Sequence, residues 1–236
     1  MFSPFDLPPG VLLLVTDQLS SPADFILYRG VIDHLKGSKQ KRAVVLSTSS
    51  DSSRWRAIAA KSNLQLDNAG FTFIDILERV PPPDDPESKP HLLPILNAAV
   101  PLLTEDALVI VDDLATLDWL GFSVLDITRF CRALFAACRK VNATLLLRQH
   151  VLTPPSTEPI LDDLFRALRS MCAYHLEVLP LASGKSGTVS GQVALHAGPG
   201  IRADGVKLLP RSSALQYRLT DAGAIFFERG TGAGVL

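Results

Sequence analysis

The chain has 236 residues, with 23 basic and 24 acidic side chains and a formal net charge of −1. Hydrophobic residues at 47% and charged residues at 20% supply a core and rule out a disordered polyelectrolyte, a polycation or an acidic tail protein. The charge is uneven: residues 131–236 hold 12 basic and 7 acidic groups, whereas residues 81–130 hold 2 and 9, so a polyanion is expected to meet the last segment. Cys131, Cys138 and Cys172 have no CxxC spacing and read as buried thiols in a reducing compartment. The start, Met1-Phe2-Ser3-Pro4, lacks the basic region of a signal peptide, and the longest apolar runs are strand-sized. The expectation is a soluble, intracellular protein with no membrane span.

In chain order, the apolar run of residues 10–15 suits a strand covered on both faces. Ser21-Pro22-Ala23-Asp24 then reads as a helix start, with Ser21 as cap. Phe25, Tyr28, Ile32 and Leu35 follow at helical spacing, with Gly37 as the stop. Residues 42–46 form a second strand. A short helix around Trp55, Ile58 and Ala59, capped near Asp51 or Ser52, comes next, and then a strand over 71–77. Residues 80–90 hold five prolines and read as an exposed loop. A helix over 91–103 precedes the strand 108–111, which ends in Asp112-Asp113. The strongest helix covers 122–141, with Val124, Ile127, Cys131, Leu134 and Cys138 on its apolar face. A fifth strand, 144–147, ends in Arg148-Gln149-His150, and a helix over 160–171 follows Pro154-Pro155. After Cys172 the pattern changes to strands alone, at 174–181, 189–196, 214–219 and 224–228. The alternation of strands and helices predicts right-handed crossovers and a parallel sheet, which the last strands extend as an antiparallel meander. The whole chain, 1–236, reads as a single α/β domain.

A nucleotide-binding α/β fold places its phosphate loop between the first strand and first helix. That loop needs G-x-x-x-x-G-K-[ST], so that backbone N–H groups cradle phosphate and the lysine reaches it. Here Thr16-Asp17-Gln18-Leu19-Ser20-Ser21-Pro22 holds neither glycine nor lysine, and Asp17 would repel phosphate. The phosphate loop is thus degenerate. Gly184-Lys185-Ser186 imitates the motif's tail but lies between two strands and reads as a hairpin loop, with Lys185 open to a polyanion. Asp112 and Asp113 resemble the other half of a nucleotide site, where an acid at a strand end holds Mg²⁺ through water. The same position suits a carboxylate that caps the next turn. The tail Gly230–Gly234 opens no helix and is not a dinucleotide fingerprint. His34, His91, His150, His175 and His196 show no metal-binding spacing, and no G-x-S-x-G elbow exists. No catalytic, cofactor-binding or metal-ligating constellation emerges.

Two segments carry a family resemblance. Val109-Ile110-Val111-Asp112-Asp113-Leu114-Ala115-Thr116-Leu117 with Leu125-Asp126-Ile127-Thr128-Arg129-Phe130-Cys131-Arg132-Ala133 resembles the central strand and following helix of the Elongator complex protein 6 family. The carboxyl-terminal part is similar to that family's ending: Leu215-Gln216-Tyr217-Arg218-Leu219-Thr220-Asp221, then Ile225-Phe226-Phe227-Glu228-Arg229-Gly230 and Ala233-Gly234-Val235-Leu236. The resemblance implies a RecA-like fold with degenerate nucleotide motifs. It implies a hexameric ring built with Elongator complex proteins 4 and 5 that serves the catalytic Elongator subcomplex, binds tRNA and supports wobble-uridine modification. It further implies a cytoplasmic location, with the nucleus also open to the protein. On this reading the chain is not an enzyme and carries no cofactor. The residues expected to meet tRNA are Arg148, His150 and Lys185. Two other readings stay open: a degenerate RecA-type ATPase with a non-standard site at Asp112 or Asp113, and a purely structural subunit without RNA contact.

Overall fold

The computed structural model describes residues 7–68, 70–80, 91–151, 163–181, 183–184, 187–200, 205–221 and 223–229. Nine strands form one sheet: β1 (Leu12–Asp17), β2 (Ala43–Ser47), β3 (Phe71–Asp75), β4 (Leu108–Asp112), β5 (Thr144–His150), β6 (Tyr174–Leu179), β7 (Gly191–Ala197), β8 (Leu215–Thr220) and β9 (Gly223–Phe227). Their spatial order is β3-β2-β4-β5-β1-β6-β7-β8-β9. The pairs from β3 through β6 are parallel, and those from β6 through β9 are antiparallel. This is an α/β architecture consistent with a RecA-like fold: a mostly parallel sheet flanked by helices, extended at one edge by a meander. The exposed loop expected over 80–90 and the break at Pro154-Pro155 lie mostly or wholly outside the described residues.

Side chains alternate across each strand, and this splits the core in two. Leu13, Val15, Val45, Ile110 and Leu146 pack against α1 (Asp24–Lys36) and α2 (Ser52–Lys61). Leu12, Leu14, Val44, Val111 and Leu147 face α4 (Leu93–Ala99), α5 (Leu114–Trp119), α6 (Val124–Lys140) and α7 (Asp163–Met171). Strands β1, β2 and β4 are buried throughout, which explains their unbroken apolar runs. On α6, Ile127, Cys131, Leu134 and Cys138 lie on the buried side, as the helical spacing requires. Burial pushes the Cys131 and Cys138 thiols up to about 12, so they are inert thiols packed as small apolar groups. Among the described residues no helix is long and apolar enough to cross a membrane.

The structure differs from the sequence reading at several boundaries, each for a local reason. Ser21 does not cap α1; its hydroxyl lies 2.8 Å from the Tyr217 hydroxyl, and the N-cap is Ala23. Gly37 ends α1 in a right-handed conformation, not the left-handed one that favours glycine. Strand β3 stops at Asp75, whose carboxylate accepts from the Leu77 and Glu78 N–H groups and opens a one-turn helix, α3 (Ile76–Arg79). The helix expected over 91–103 is α4 followed by a 3-10 turn, Val100–Leu102, which contains Pro101. Helix α5 has no counterpart in the sequence reading, although Asp113 caps it as the capping alternative foresaw. Asp51 caps α2 by accepting from the Arg54 N–H at 2.8 Å.

Candidate functional site

The carboxyl ends of β1, β4 and β5 converge on one buried cluster. Register explains why. Val15 of β1 sits opposite Arg148, and Asp17 opposite His150. Val111 pairs with Leu147, which brings Asp112 beside Arg148, and Asp112 pairs with Ser47 of β2. Asp17, Asp112 and Arg148 have the parity of Val15, Ile110 and Leu146, so all three point to the α1–α2 face. The apolar strands thus end in one acid, one cation and one acid held side by side.

Arg148 is 2% exposed. Its Nη2 and Nε donate to Asp17 Oδ2 at 2.8 and 3.2 Å, and its Nη1 donates to Asp112 Oδ1 at 2.7 Å. Asp24, in the first turn of α1, accepts from Nη1 at 3.3 Å. Asp112 Oδ2 also accepts from the Ser49 hydroxyl at 2.8 Å and the Ser47 hydroxyl at 3.2 Å. Asp17 Oδ2 additionally accepts from the Ala23 N–H at 2.6 Å. That last contact matters most. A helix start after a strand is where this architecture binds a phosphate, and here the chain's own carboxylate receives the N–H. Burial works against the charge of Arg148, but Asp112, Asp17 and Asp24 outweigh it and hold the guanidinium more firmly protonated than usual. Burial also raises Asp17, yet His150 and Arg148 bring its carboxyl below the ordinary value.

His150 closes the cluster. Its Nδ1 lies 2.7 Å from Asp17 Oδ1, and its Nε2 lies 3.6 Å from Asp113 Oδ2. The contact with Asp17 raises the imidazole pKa against the effect of burial. Asp113 Oδ1 accepts from the Ala115 N–H at 3.1 Å and the His150 N–H at 3.3 Å, and burial pushes its carboxyl up. Asp112 is therefore a partner of arginine and serine, and Asp113 a helix cap. Among the described residues no three His, Cys, Asp or Glu side chains are placed to share a metal ion.

These positions correct one expectation. Arg148 is not a surface cation: its guanidinium faces inward and is engaged by three carboxylates, so it has no free donor to offer phosphate. His150 is half-buried and occupied by two acids. Lys185 lies outside the described residues, as does Gly230–Gly234.

A second polar cluster sits on β6 and β7, on the opposite face of the sheet. Glu177 accepts from Arg211 through both oxygens, at 2.7 and 2.8 Å, and lies 2.7 Å from His196 Nε2. His175 Nε2 lies 2.7 Å from the Thr16 hydroxyl. Burial pushes His175 down to about 4. Burial raises Glu177, but Arg211, His175 and His196 together bring it down to about 2. Nothing in the spacing of these residues marked them as partners; the antiparallel pairing of His175 with His196 brings them together.

No family model matches the chain. Over 131 residues it is 32% identical to Elongator complex protein 6 of Danio rerio. The chain resembles Elongator complex protein 6. The matched stretch is 54% of this chain and 48% of that protein, so the chain spans about half the length of the curated relative it matches. This supports the resemblance to the Elongator complex protein 6 family.

Proposed function

We propose that this chain is a non-catalytic, ring-forming subunit of the Elongator complex, folded as one RecA-like domain. Its partners are Elongator complex proteins 4 and 5 in a hexameric ring. The ring serves the catalytic Elongator subcomplex by binding tRNA for wobble-uridine modification, in the cytoplasm, with the nucleus also open to it. The observation that carries the non-catalytic part is the Asp17 carboxylate at the head of α1. It accepts from the Ala23 N–H and binds Arg148, so anion and cation come from the protein itself. A phosphate entering there would find the Ala23 N–H already taken by Asp17 and would face that carboxylate's charge. The likeness to Elongator complex protein 6 supports the assembly. So does an apolar corner where α5 meets α6: Trp119 is 72% exposed, and Leu120 and Leu125 are exposed beside it in sequence. Tryptophan in such a setting is typical of protein interfaces.

The test has two arms. Capture of the native assembly through a tag on this chain, with identification by mass, is expected to return Elongator complex proteins 4 and 5; their absence would sink the assignment. Titration of the chain with Mg-ATP is expected to give no micromolar binding. Tight binding lost on Asp112→Ala would favour the ATPase reading instead.

A further inference from the structure

We infer that the solvent face of α6 is a contact surface for the sugar–phosphate backbone of RNA, an assignment that rests on the RNA-binding part of the proposed function. Arg129, Arg132, Arg139 and Lys140 are all exposed. At 100° per residue they fall within about 100° of one another, opposite the buried stripe of Ile127, Cys131, Leu134 and Cys138. At 1.5 Å per residue they run about 16 Å along the helix.

The charges are uncompensated. Some cations elsewhere are paired, Arg29 with Asp33, Arg56 with Asp67, Arg166 with Asp163 and Arg211 with Glu177. Others, such as the exposed Lys36, Lys39 and Lys61, have no acidic partner among the described residues; α6 is distinguished by gathering four unpaired cations on one face. Among the described residues none of the four α6 cations has an acidic partner within ion-pair distance. The acid of α6, Asp126, sits in its first turn and is engaged by the Ser123 hydroxyl at 2.6 Å. Cations in a last helical turn meet the carbonyl end of the helix favourably, which accounts for Arg139 and Lys140. It does not account for Arg129 and Arg132, which lie mid-helix at i,i+3, where like charges repel.

Apart from Leu125, which lies on this side of the first turn of α6 and belongs to the apolar corner, the face suits phosphate better than protein. Between the cations stand the exposed Ala133 and Ala136, too small to block a close approach and too small to anchor a protein partner. Guanidinium forks match phosphate oxygens two at a time. α7, which packs alongside α6, carries a further exposed cation, Arg169.

The test uses the native assembly captured through this chain and bulk tRNA as probe, with affinity measured across a salt series. In the variant carrying Arg129→Gln, Arg132→Gln, Arg139→Gln and Lys140→Gln, affinity is expected to fall tenfold or more. The slope of log affinity against log salt should shrink by about 3, as four phosphate contacts at roughly 0.7–0.9 each require. A companion with the three arginines changed to lysine keeps the charge and should keep the slope. All four positions are exposed, so both variants are expected to fold with an unchanged thermal midpoint. Unchanged affinity and slope in the glutamine variant, with the wild type binding RNA, would overturn the surface and leave the proposed function standing. A wild-type assembly that binds no RNA would overturn both. A folded glutamine variant that no longer captures its partners would reassign the face to a protein interface.

Discussion

The cluster around Arg148 and the cluster around Glu177 hold the same kinds of side chain in opposite arrangements. In the first, one cation serves three acids from β1, α1 and β4, and the guanidinium and two of the carboxylates are almost fully buried. In the second, one acid serves Arg211 and His196, and the Arg211 side chain is 55% exposed. A buried cation shared by acids is hard to replace, because its loss leaves several charges without water or partner. A buried acid held by an exposed cation keeps a route to solvent and a second donor.

Replacing Arg148 with Met should therefore have the largest effect, a loss of about 3–5 kcal/mol of stability, read from urea denaturation. Arg148→Lys should recover only part, since an ammonium cannot fork to Asp17 while reaching Asp112. A loss under about 1 kcal/mol for Arg148→Met would mean that the carboxylates find other partners, and the contrast between the clusters would collapse.

The histidines of the two clusters should respond to pH with opposite signs. His175 is depressed from 6.5 to about 4. Below pH 6.5 the unfolded chain takes up a proton that the folded chain refuses, so stability falls as pH drops from 6.5 to 4, by about 3 kcal/mol. Glu177 continues the trend: its contribution is complete above 4.5 and is lost as pH falls towards its folded value of about 2. His150 is raised by Asp17, so its contribution is complete below 6.5 and disappears as pH rises through its folded pKa. Denaturation midpoints of His175→Gln and His150→Gln across pH 4–8 separate the two. His175→Gln should flatten the acid limb, and His150→Gln should flatten the slope above 6.5. Matching curves for both variants would contradict the assignment.

Arg211→Ala should have the smallest effect, about 1 kcal/mol or less, because an exposed pair gains little from its Coulomb energy and Glu177 keeps His196. A loss near that of Arg148→Met would erase the distinction between shared buried cation and exposed cation.

The same contrast explains what the sequence disclosed. The strand and helix order was legible because unbroken apolar runs and helical spacing are local signals, and α6 announces itself through Ile127, Cys131, Leu134 and Cys138. Asp17 and Asp112 were legible as acids at strand ends, and the missing glycine and lysine near them could be read directly. The partnership of Arg148 was not. Arg148-Gln149-His150 ends an apolar strand, and such an ending reads as a loop facing solvent. Only the register of β5 between β4 and β1 turns Arg148 inward. Likewise Asp75 closes β3 early because its carboxylate reaches forward to two N–H groups, a contact that β-propensity over 71–77 does not register. His175, His196 and Arg211 stand 15 residues or more apart in sequence and meet through strand pairing, which no spacing rule anticipates.

The central position of β1 has a consequence for how the chain is made. β1 ends at Asp17, and its two neighbours, β5 and β6, begin at Thr144 and Tyr174. At 5–20 residues per second, a strand that is apolar along most of its length waits on the order of ten seconds for its first neighbour to leave the ribosome. Throughout that interval neither final neighbour is present, and Asp17 lacks Arg148. Nascent chains stalled before β5 is complete should therefore be cut by protease within β1 and should recruit chaperones, while chains released after β6 should resist. Protection of β1 in the shorter chains would show that it first pairs with something other than its final neighbours.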